Sequence, residues 1–469
     1  MSFLLSTAPA FAVFEFCLAA VFLRDKGLPL SVSLCASFLI FCVQLLIAES
    51  RWNRRKLIFS AALALISVLI STRLFAELEE DPLLPKNLDA ECVVAERRKW
   101  GDSGILRLKD SLGSEWIMRE PKDAQSLHEG DRIRVRASVF PLKKESERNS
   151  FNPLRYWRAR GVHGELQPSS ITLLSKEFSF HCLRQRLRER IALLPPKSAA
   201  LTAAVLLGDR EENLAEDHRR WGTNHILAVS GWHVGIVVAL GGVIWGSGRK
   251  ALIANSLLLW GYCFLSGASM SALRAACMLQ FSMGALWYGR GGHLANSLSV
   301  AVLAMLVYNP WAAFDIGWQL SVLAVFALIG LSSFGTTASA CLTSPLIWFT
   351  ASPITAPLAG GLSISALPIN IMASVCFTFI LGVVLLASLP TLIGFSGNSF
   401  SSASEFLLTL WGQVADQWVE WLPRAYPVHF FPSWLCAAVF FLCVGRSLRL
   451  SLFRSFLMSL LGAGVVMVL

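Results

Sequence analysis

The sequence predicts a polytopic α-helical membrane protein with one small all-β domain inserted outside the membrane. Three observations carry that fold class. Of 469 residues, 54% are hydrophobic and 15% charged, with a mean hydropathy of +0.56; this is more apolar than a water-exposed surface tolerates and excludes a soluble enzyme. Several apolar runs reach the about 20 residues needed to cross a bilayer. The net charge of +10 is also unevenly placed: residues 97–190 hold 21 Lys/Arg against 12 Asp/Glu, and the rest of the chain 20 against 19. That basic segment is the one long stretch with no spanning run, so it reads as an inserted extramembrane domain. A concentrated positive field of this kind suits a polyanion or an anionic lipid surface.

The elements follow in order. Residues 1–75 contain three apolar runs, near 9–23, 28–48 and 57–73; the first runs into Arg24 and is expected to be an uncleaved span. The loop 50–56 carries Arg51, Arg54, Arg55 and Lys56, whereas 24–27 carries only Arg24 and Lys26. The positive-inside rule then puts 50–56 in the cytoplasm and the next domain outside. Between 76 and 180 the pattern turns to short alternating runs at 90–95, 105–108, 116–118, 132–139 and 164–174. Turn signals at Gly101-Asp102, Gly113-Ser114 and Gly130-Asp131 separate several of them, which predicts a small barrel. In the fourth run Arg132, Arg134 and Arg136 alternate with Ile133 and Val135, so the guanidinium groups share one face. That face reads either as a solvated exterior or as a phosphate-binding surface.

A connecting segment, 181–222, comes next. Within 181–194, Leu183, Leu187, Ile191 and Leu194 fall on one helical face and Arg184, Arg186, Arg188 and Arg190 over the remainder, the pattern of an interfacial amphipathic helix. The apolar run 198–207 is too short to span and is expected to be re-entrant or to lie flat. From 223 to 469 apolar helices are broken near 248–250, 289–293, 309–310, 352–357, 390–398 and 423–432. Most of the eleven cysteines sit inside apolar runs and act as small hydrophobes. Cys92 and Cys182 flank the basic segment and can form a disulfide if that domain faces an oxidising compartment.

The polar residues of the helical part are few. On the helix expected to open at Thr223, Gly231, Gly235 and Ala239 recur every four residues, which lets a neighbour approach closely. His225 and His233 share a face there, but eight residues separate them by about 12 Å, too far to ligate one ion; polar lining or interhelical hydrogen bonding is the expected role, and no metal site is expected. From 223 to 404 the charged residues are Arg249, Lys250, Arg274, Arg290 and Asp315. Arg274, a few residues into a span, is functional by default or snorkels to the interface. Asp315 caps the following helix or lies on a translocation path. Gln319, Ser321 and Asn370 can make an uncharged polar lining whose weak sites would let a phosphate backbone slide without binding it tightly. Gly246-Ser-Gly248 imitates part of a dinucleotide fingerprint but links two helices, and no Gly-x4-Gly-Lys-[Ser/Thr] loop is found, so no ATPase is expected.

The densest stretch is Leu207-Gly-Asp-Arg210 followed by Ala228-Val-Ser-Gly-Trp-His-Val-Gly235. Together with Ser266-Gly-Ala-Ser-Met-Ser-Ala-Leu-Arg-Ala275, Asn309-Pro310 and Phe314-Asp-Ile-Gly-Trp-Gln-Leu-Ser321, it resembles the ComEC family of DNA-uptake channel proteins. Trp232 stands where that family usually has Leu, and Asn370 matches the Asn opening a later family helix, without the Pro expected after it. Phe151-Asn-Pro-Leu-Arg-Tyr-Trp-Arg-Ala-Arg-Gly161 is similar to the basic aromatic signature ending the family's external domain, so the resemblance makes the barrel OB-like.

The resemblance implies a channel that passes single-stranded DNA across the cytoplasmic membrane in natural transformation, with the barrel on the external side. In that reading Asp209 and Arg210 belong to the channel motif. Arg132, Arg134, Arg136, Arg155, Arg158 and Arg160 attract phosphates, and Tyr156 and Trp157 stack bases or anchor at the membrane interface. The His-x-His-x-Asp-His metal motif found in many relatives does not occur, so no nuclease is expected in this chain. The implied partners are single-stranded DNA, the lipid bilayer and a separate receptor, motor and nuclease; no cofactor is implied. Two other functions stay open: a transporter of another anionic substrate, and an intramembrane serine hydrolase using Ser230 with His225 or His233.

Overall fold

A period-two pattern buries one face of each strand, and five such strands can seal their edges only by closing on themselves. The computed structural model does this with β1 (Asn87–Trp100), β2 (Ser103–Asp110), β3 (Glu115–Arg119), β4 (Asp131–Phe140) and β5 (Val162–Lys176), a closed barrel of order β1-β2-β3-β5-β4. β3 and β5 pair parallel and all other neighbours antiparallel, an OB-like arrangement. The structure describes residues 84–421, apart from 101–102, 121–126, 144–151, 177–179, 290, 292–293, 332–335, 360–365 and 396–399. The apolar runs expected within 1–75, and the chain beyond 421, lie outside the described residues.

The alternation in β4 folds as read: Ile133, Val135 and Ala137 join Val94, Leu106, Leu108 and Met118 in the barrel core, while Arg134 and Arg136 point to solvent. Between β4 and β5 runs the short helix α1 (Pro153–Arg158). Its start is set by Asn152, whose side chain accepts the Arg155 N–H, and by Pro153, whose fixed φ suits the first helical position. Trp157 pins α1 to the barrel by packing with Ile117, Leu142 and Val162.

The helical part comprises α2 (Phe180–Ile191), α3 (Pro196–Leu207), α4 (Glu212–Arg220), α5 (Asn224–Leu227), α6 (Gly231–Trp245), α7 (Arg249–Leu265), α8 (Met270–Trp287), α9 (Leu294–Tyr308), a 3-10 turn (Pro310–Phe314), α10 (Ile316–Leu331), α11 (Thr336–Ala359), α12 (Ala366–Ile393) and α13 (Phe400–Trp421). One core joins α3, α4 and α5 to α12 and α13 around Leu201, Trp221, Phe377 and Trp411. A second joins α6, α7 and α8 around Val234, Leu259 and Ala276. Among the described residues one helix, α12, is long and apolar enough to cross a bilayer, over Cys376–Ile393; Pro196–Leu207, Gly231–Trp245, Ser297–Tyr308 and Ile316–Ile329 are apolar but shorter.

Several expectations are corrected. No disulfide joins Cys92 to Cys182: the Cys92 thiol is sealed in the barrel core, where burial pushes its pKa up to about 11. α2 is no free interfacial helix, because Arg184 is buried and ion-paired on the side that was read as polar. α3, expected to be re-entrant or to lie flat, packs into the first helical core through Leu201, Ala204 and Val205. The break expected at 352–357 is absent, α11 running through it, whereas the one expected at 390–398 is present but starts after Ile393, α12 running through Pro390; apolar surroundings and neighbouring helices let a proline stay inside a helix. The helix expected to open at Thr223 is split, so His225 lies on α5 and His233 on α6 and they do not share a helix face. Of the small-residue stripe, Gly231 makes the close approach, whereas at Gly235 an added Cβ would meet nothing within 4 Å.

Candidate functional site

Between the two parts of the protein lies a half-open cavity of about 1100 Å³, slightly larger than ordinary ligand pockets. The barrel contributes its β1–β2 end through Arg97, Arg98 and Gly104, Glu120 after β3, and α1 with its flanks through Asn152, Arg155, Tyr156 and Arg160. Those are the ends of an OB-type barrel that ordinarily take oligomeric ligands. From the helical side come the α3–α4 loop Gly208-Asp209-Arg210, Ala228 and Val229 before α6, Ser266, Ser269 and Ser271 around the start of α8, and Phe314, Asp315 and Gln319 around the start of α10. Stretches more than a hundred residues apart in sequence therefore share one wall.

Specific contacts hold this junction. Arg160 Nη1 donates to Asp315 Oδ2 at 2.9 Å, and its guanidinium lies 3.6 Å from the Tyr156 ring centre. Asp315 Oδ1 accepts the Trp318 N–H at 2.9 Å, so one carboxylate caps α10 and binds the barrel at once. Asn309 Nδ2 donates to the carbonyls of Arg158 and Ala159 at 3.0 and 2.8 Å, satisfying the open end of α1. Arg155 stacks on Phe314 with 4.9 Å to the ring centre. Arg98 Nη1 donates to Tyr156 Oη at 2.8 Å.

Behind this wall runs a buried ionic network. Glu129 Oε1 accepts from the Arg97 N–H and from Arg188 Nη2, both at 3.1 Å, and Arg184 Nε stands 3.7 Å from Oε2. Arg188 also donates to Asp209 Oδ2, and Arg184 Nη2 to the Leu207 carbonyl at 2.9 Å. These bonds fix the Gly-Asp-Arg loop from behind. Burial pushes the Asp209 carboxyl up, against the pull of Arg188 and Arg184. Burial would raise Glu96 as well, but Arg98, Arg107 and Arg184 outweigh it and hold its pKa at about 2. Gly208 makes the loop sterically feasible: its φ is +74°, and a Cβ there would stand 2.5 Å from the Ser266 carbonyl oxygen. Arg210 is exposed into the cavity and forms no ion pair among the described residues.

Of the residues singled out in the sequence, Arg155, Tyr156, Arg160, Asp209, Arg210, Asp315 and Gln319 line the cavity. Gln319 donates to the Ala313 carbonyl. Arg132, Arg134 and Arg136 do not line it. They lie on the β4 exterior, Arg134 and Arg136 each 2.9 Å from Asp89 and Arg132 3.8 Å from Glu91. Trp157, buried in the α1–barrel packing, is not placed to stack bases or to anchor at an interface. The Arg158 carbonyl takes the Asn309 bond.

Ser230 and His233 meet at the start of α6. His233 Nδ1 accepts the Ser230 backbone N–H at 3.2 Å and lies 3.1 Å from its Oγ, the geometry of a helix cap. His225 and Asn370 lie away from the cavity, Asn370 Nδ2 donating to the Gly222 carbonyl at 3.5 Å. Arg274 and Ser321 do not line it and bond to each other. Sequence reasoning missed Arg98 and Glu129 as junction residues, the Arg97-Arg98-Lys99 run beside a turn being the local signal for the first, and it marked Asn309 only as part of the Asn309-Pro310 motif.

Fold and site together define an OB-like barrel docked on an apolar helical body across an arginine-rich cavity. A family model described as Competence protein matches residues 205–461, more than half of the chain, and the chain belongs to that family. It is similar to ComE operon protein 3 of Bacillus subtilis (strain 168), 33% identical over 201 residues, which are 39% of this chain and 25% of that relative. The ComEC resemblance carried by the motifs agrees with both findings. No solved structure matches the chain.

Proposed function

We propose that the protein is a conduit for single-stranded DNA in natural competence, seated in the cytoplasmic membrane with its helical body crossing the bilayer several times and its barrel on the external side. One observation carries this reading: the ligand-taking end of an OB-like barrel opens onto a cavity walled by the family's own motifs. Arg210 supplies an unpaired cation there, and Arg155 and Arg160 supply guanidinium groups held on the Phe314 and Tyr156 rings. Serines and Gln319 complete a wall that contacts a sugar-phosphate chain without gripping it. Transport is passive in this reading, and a separate receptor, motor and nuclease deliver, pull and degrade DNA. The reciprocal cap explains the Ser230–His233 contact, so a hydrolytic role gains no support from it.

The test is uptake of a fluorescent oligonucleotide by proteoliposomes holding the full chain, with a sulfated oligosaccharide of similar charge as comparison. DNA entry that requires the protein and falls steeply with salt is expected. Entry of the sugar but not DNA would make the protein a transporter of another polyanion, and entry of neither would refute the conduit.

A further inference from the structure

Arg274 on α8 is buried, with 3% of its surface exposed. Its Nε and Nη2 both donate to Ser321 Oγ on α10, the first at 2.8 Å, and Nη1 faces Met278 Sδ. Among the described residues no carboxylate pairs with it. A buried cation held by one hydroxyl is costly, and such groups persist in apolar helices where an anion meets them. The guanidinium packs closely on a small residue of α6: a Cβ on Gly231 would come within 3.3 Å of Nη2 and 3.4 Å of the Ala275 Cβ, so a larger residue there would crowd it.

Its position relative to the cavity is specific. Val229, Ser271 and Gln319 line the cavity, and Gly231, Arg274 and Ser321 follow them by two or three residues in the chain. At 1.5 Å per helical residue this puts Arg274 and Ser321 about 3–5 Å below the floor. The cavity end of α8 is its N-terminus, and helical side chains lean toward the N-terminus, so the Arg274 stem leans toward the cavity.

We propose that Arg274 is the floor cation of the conduit: a backbone phosphodiester of the strand displaces Ser321 Oγ and takes the guanidinium through two parallel N–H···O bonds. This rests on the cavity being the strand's seat. Ser321 then acts as the resting partner that holds the charge when no strand is present.

The test is equilibrium binding of a fluorescent oligothymidylate to the full chain in neutral detergent, as a function of salt, for wild type, Arg274→Gln, Arg274→Lys and Ser321→Ala. Loss of one phosphate contact is expected to reduce the slope of log affinity against log salt by about 0.7 in Arg274→Gln. Arg274→Lys should keep the wild-type slope, and the contrast with Arg274→Gln is what a purely structural role for the guanidinium would not produce. Ser321→Ala, which frees the cation in the unbound state, should bind about fivefold more tightly. An unchanged slope in Arg274→Gln would overturn the proposal while leaving the conduit standing. If Arg274→Gln does not fold, Ser321→Ala decides, and affinity no tighter than wild type overturns it. A wild-type protein that binds no strand even at low salt would remove both readings.

Discussion

The Arg160–Asp315 pair is the junction's most exposed point of failure, and its strength can be worked from the geometry. The side chains retain 16% and 6% exposure and meet at 2.9 Å. With charge centres about 4 Å apart, an effective dielectric near 20 gives about 4 kcal/mol of attraction, of which desolvation removes more than half. A coupling of about 1–2 kcal/mol should remain. Arg160→Ala leaves Asp315 still accepting the Trp318 N–H, whereas Asp315→Ala loses ion pair and cap together and should cost about 1 kcal/mol more. Asp315→Asn keeps a good cap and should match Arg160→Ala. Native-state proteolysis reads the opening of the barrel from the helical body, because cleavage tracks the open population when closing is fast. The two alanine variants and their double variant close a thermodynamic cycle. A coupling within about 0.3 kcal/mol of zero would show that the pair does not fasten the barrel.

Three further outcomes follow from the same contacts. Gly208→Ala should cost about 1–2 kcal/mol from its left-handed φ alone, and the clash with the Ser266 carbonyl should displace Arg210, read as weaker oligonucleotide binding with the thermal transition retained. The Glu96 carboxyl is held at about 2 against an ordinary value of 4.5. Its stabilisation, about 3 kcal/mol, is therefore fully present above pH 4.5 and lost as pH falls through about 2, which acid titration of barrel tryptophan fluorescence should follow and Glu96→Gln should abolish. Cys92, with its thiol pushed to about 11 and sealed in the core, should resist maleimide at neutral pH in the folded protein, and peptide mapping without reductant should find no Cys92–Cys182 bridge.

Local periodicity was enough to foresee the barrel. Alternation puts Ile133 and Val135 inward whatever the partner strand, and the turn glycines Gly113 and Gly130 carry the positive φ their positions need. The site was legible only as motifs. Arg184 and Arg188, one helical turn apart, read as polar surface because the acids that bury them, Glu129 and Asp209, come from a barrel loop and from the α3–α4 loop. Trp157 and Tyr156 are neighbours of similar chemistry, yet one fills the barrel's end and the other faces the cavity. A six-residue helix gives too few turns for a sequence pattern to say which. The split between α5 and α6 was hidden too, since 223–235 holds no proline and its break is set by Ser230 capping α6.

The charge excess of residues 97–190 also changes meaning once its partners are known. Arg134 and Arg136 share Asp89, Arg97 meets Glu120, Arg98 and Arg107 converge on Glu96, and Arg184 and Arg188 are held by Glu129 and Asp209. Attraction for a polyanion depends on the local potential of a concave site more than on a segment's net count, and the unpaired Arg210 stands in such a site from outside that segment. Arg210→Gln should therefore weaken oligonucleotide binding about tenfold at physiological salt, the value of one charge-assisted phosphate bond. Replacing Arg132, Arg134 and Arg136 together by Gln should cost less, because Glu91 and Asp89 already offset much of their charge on an exterior face outside the cavity. If the triple variant loses more affinity than Arg210→Gln, the strand runs along β4 and the cavity is not its seat.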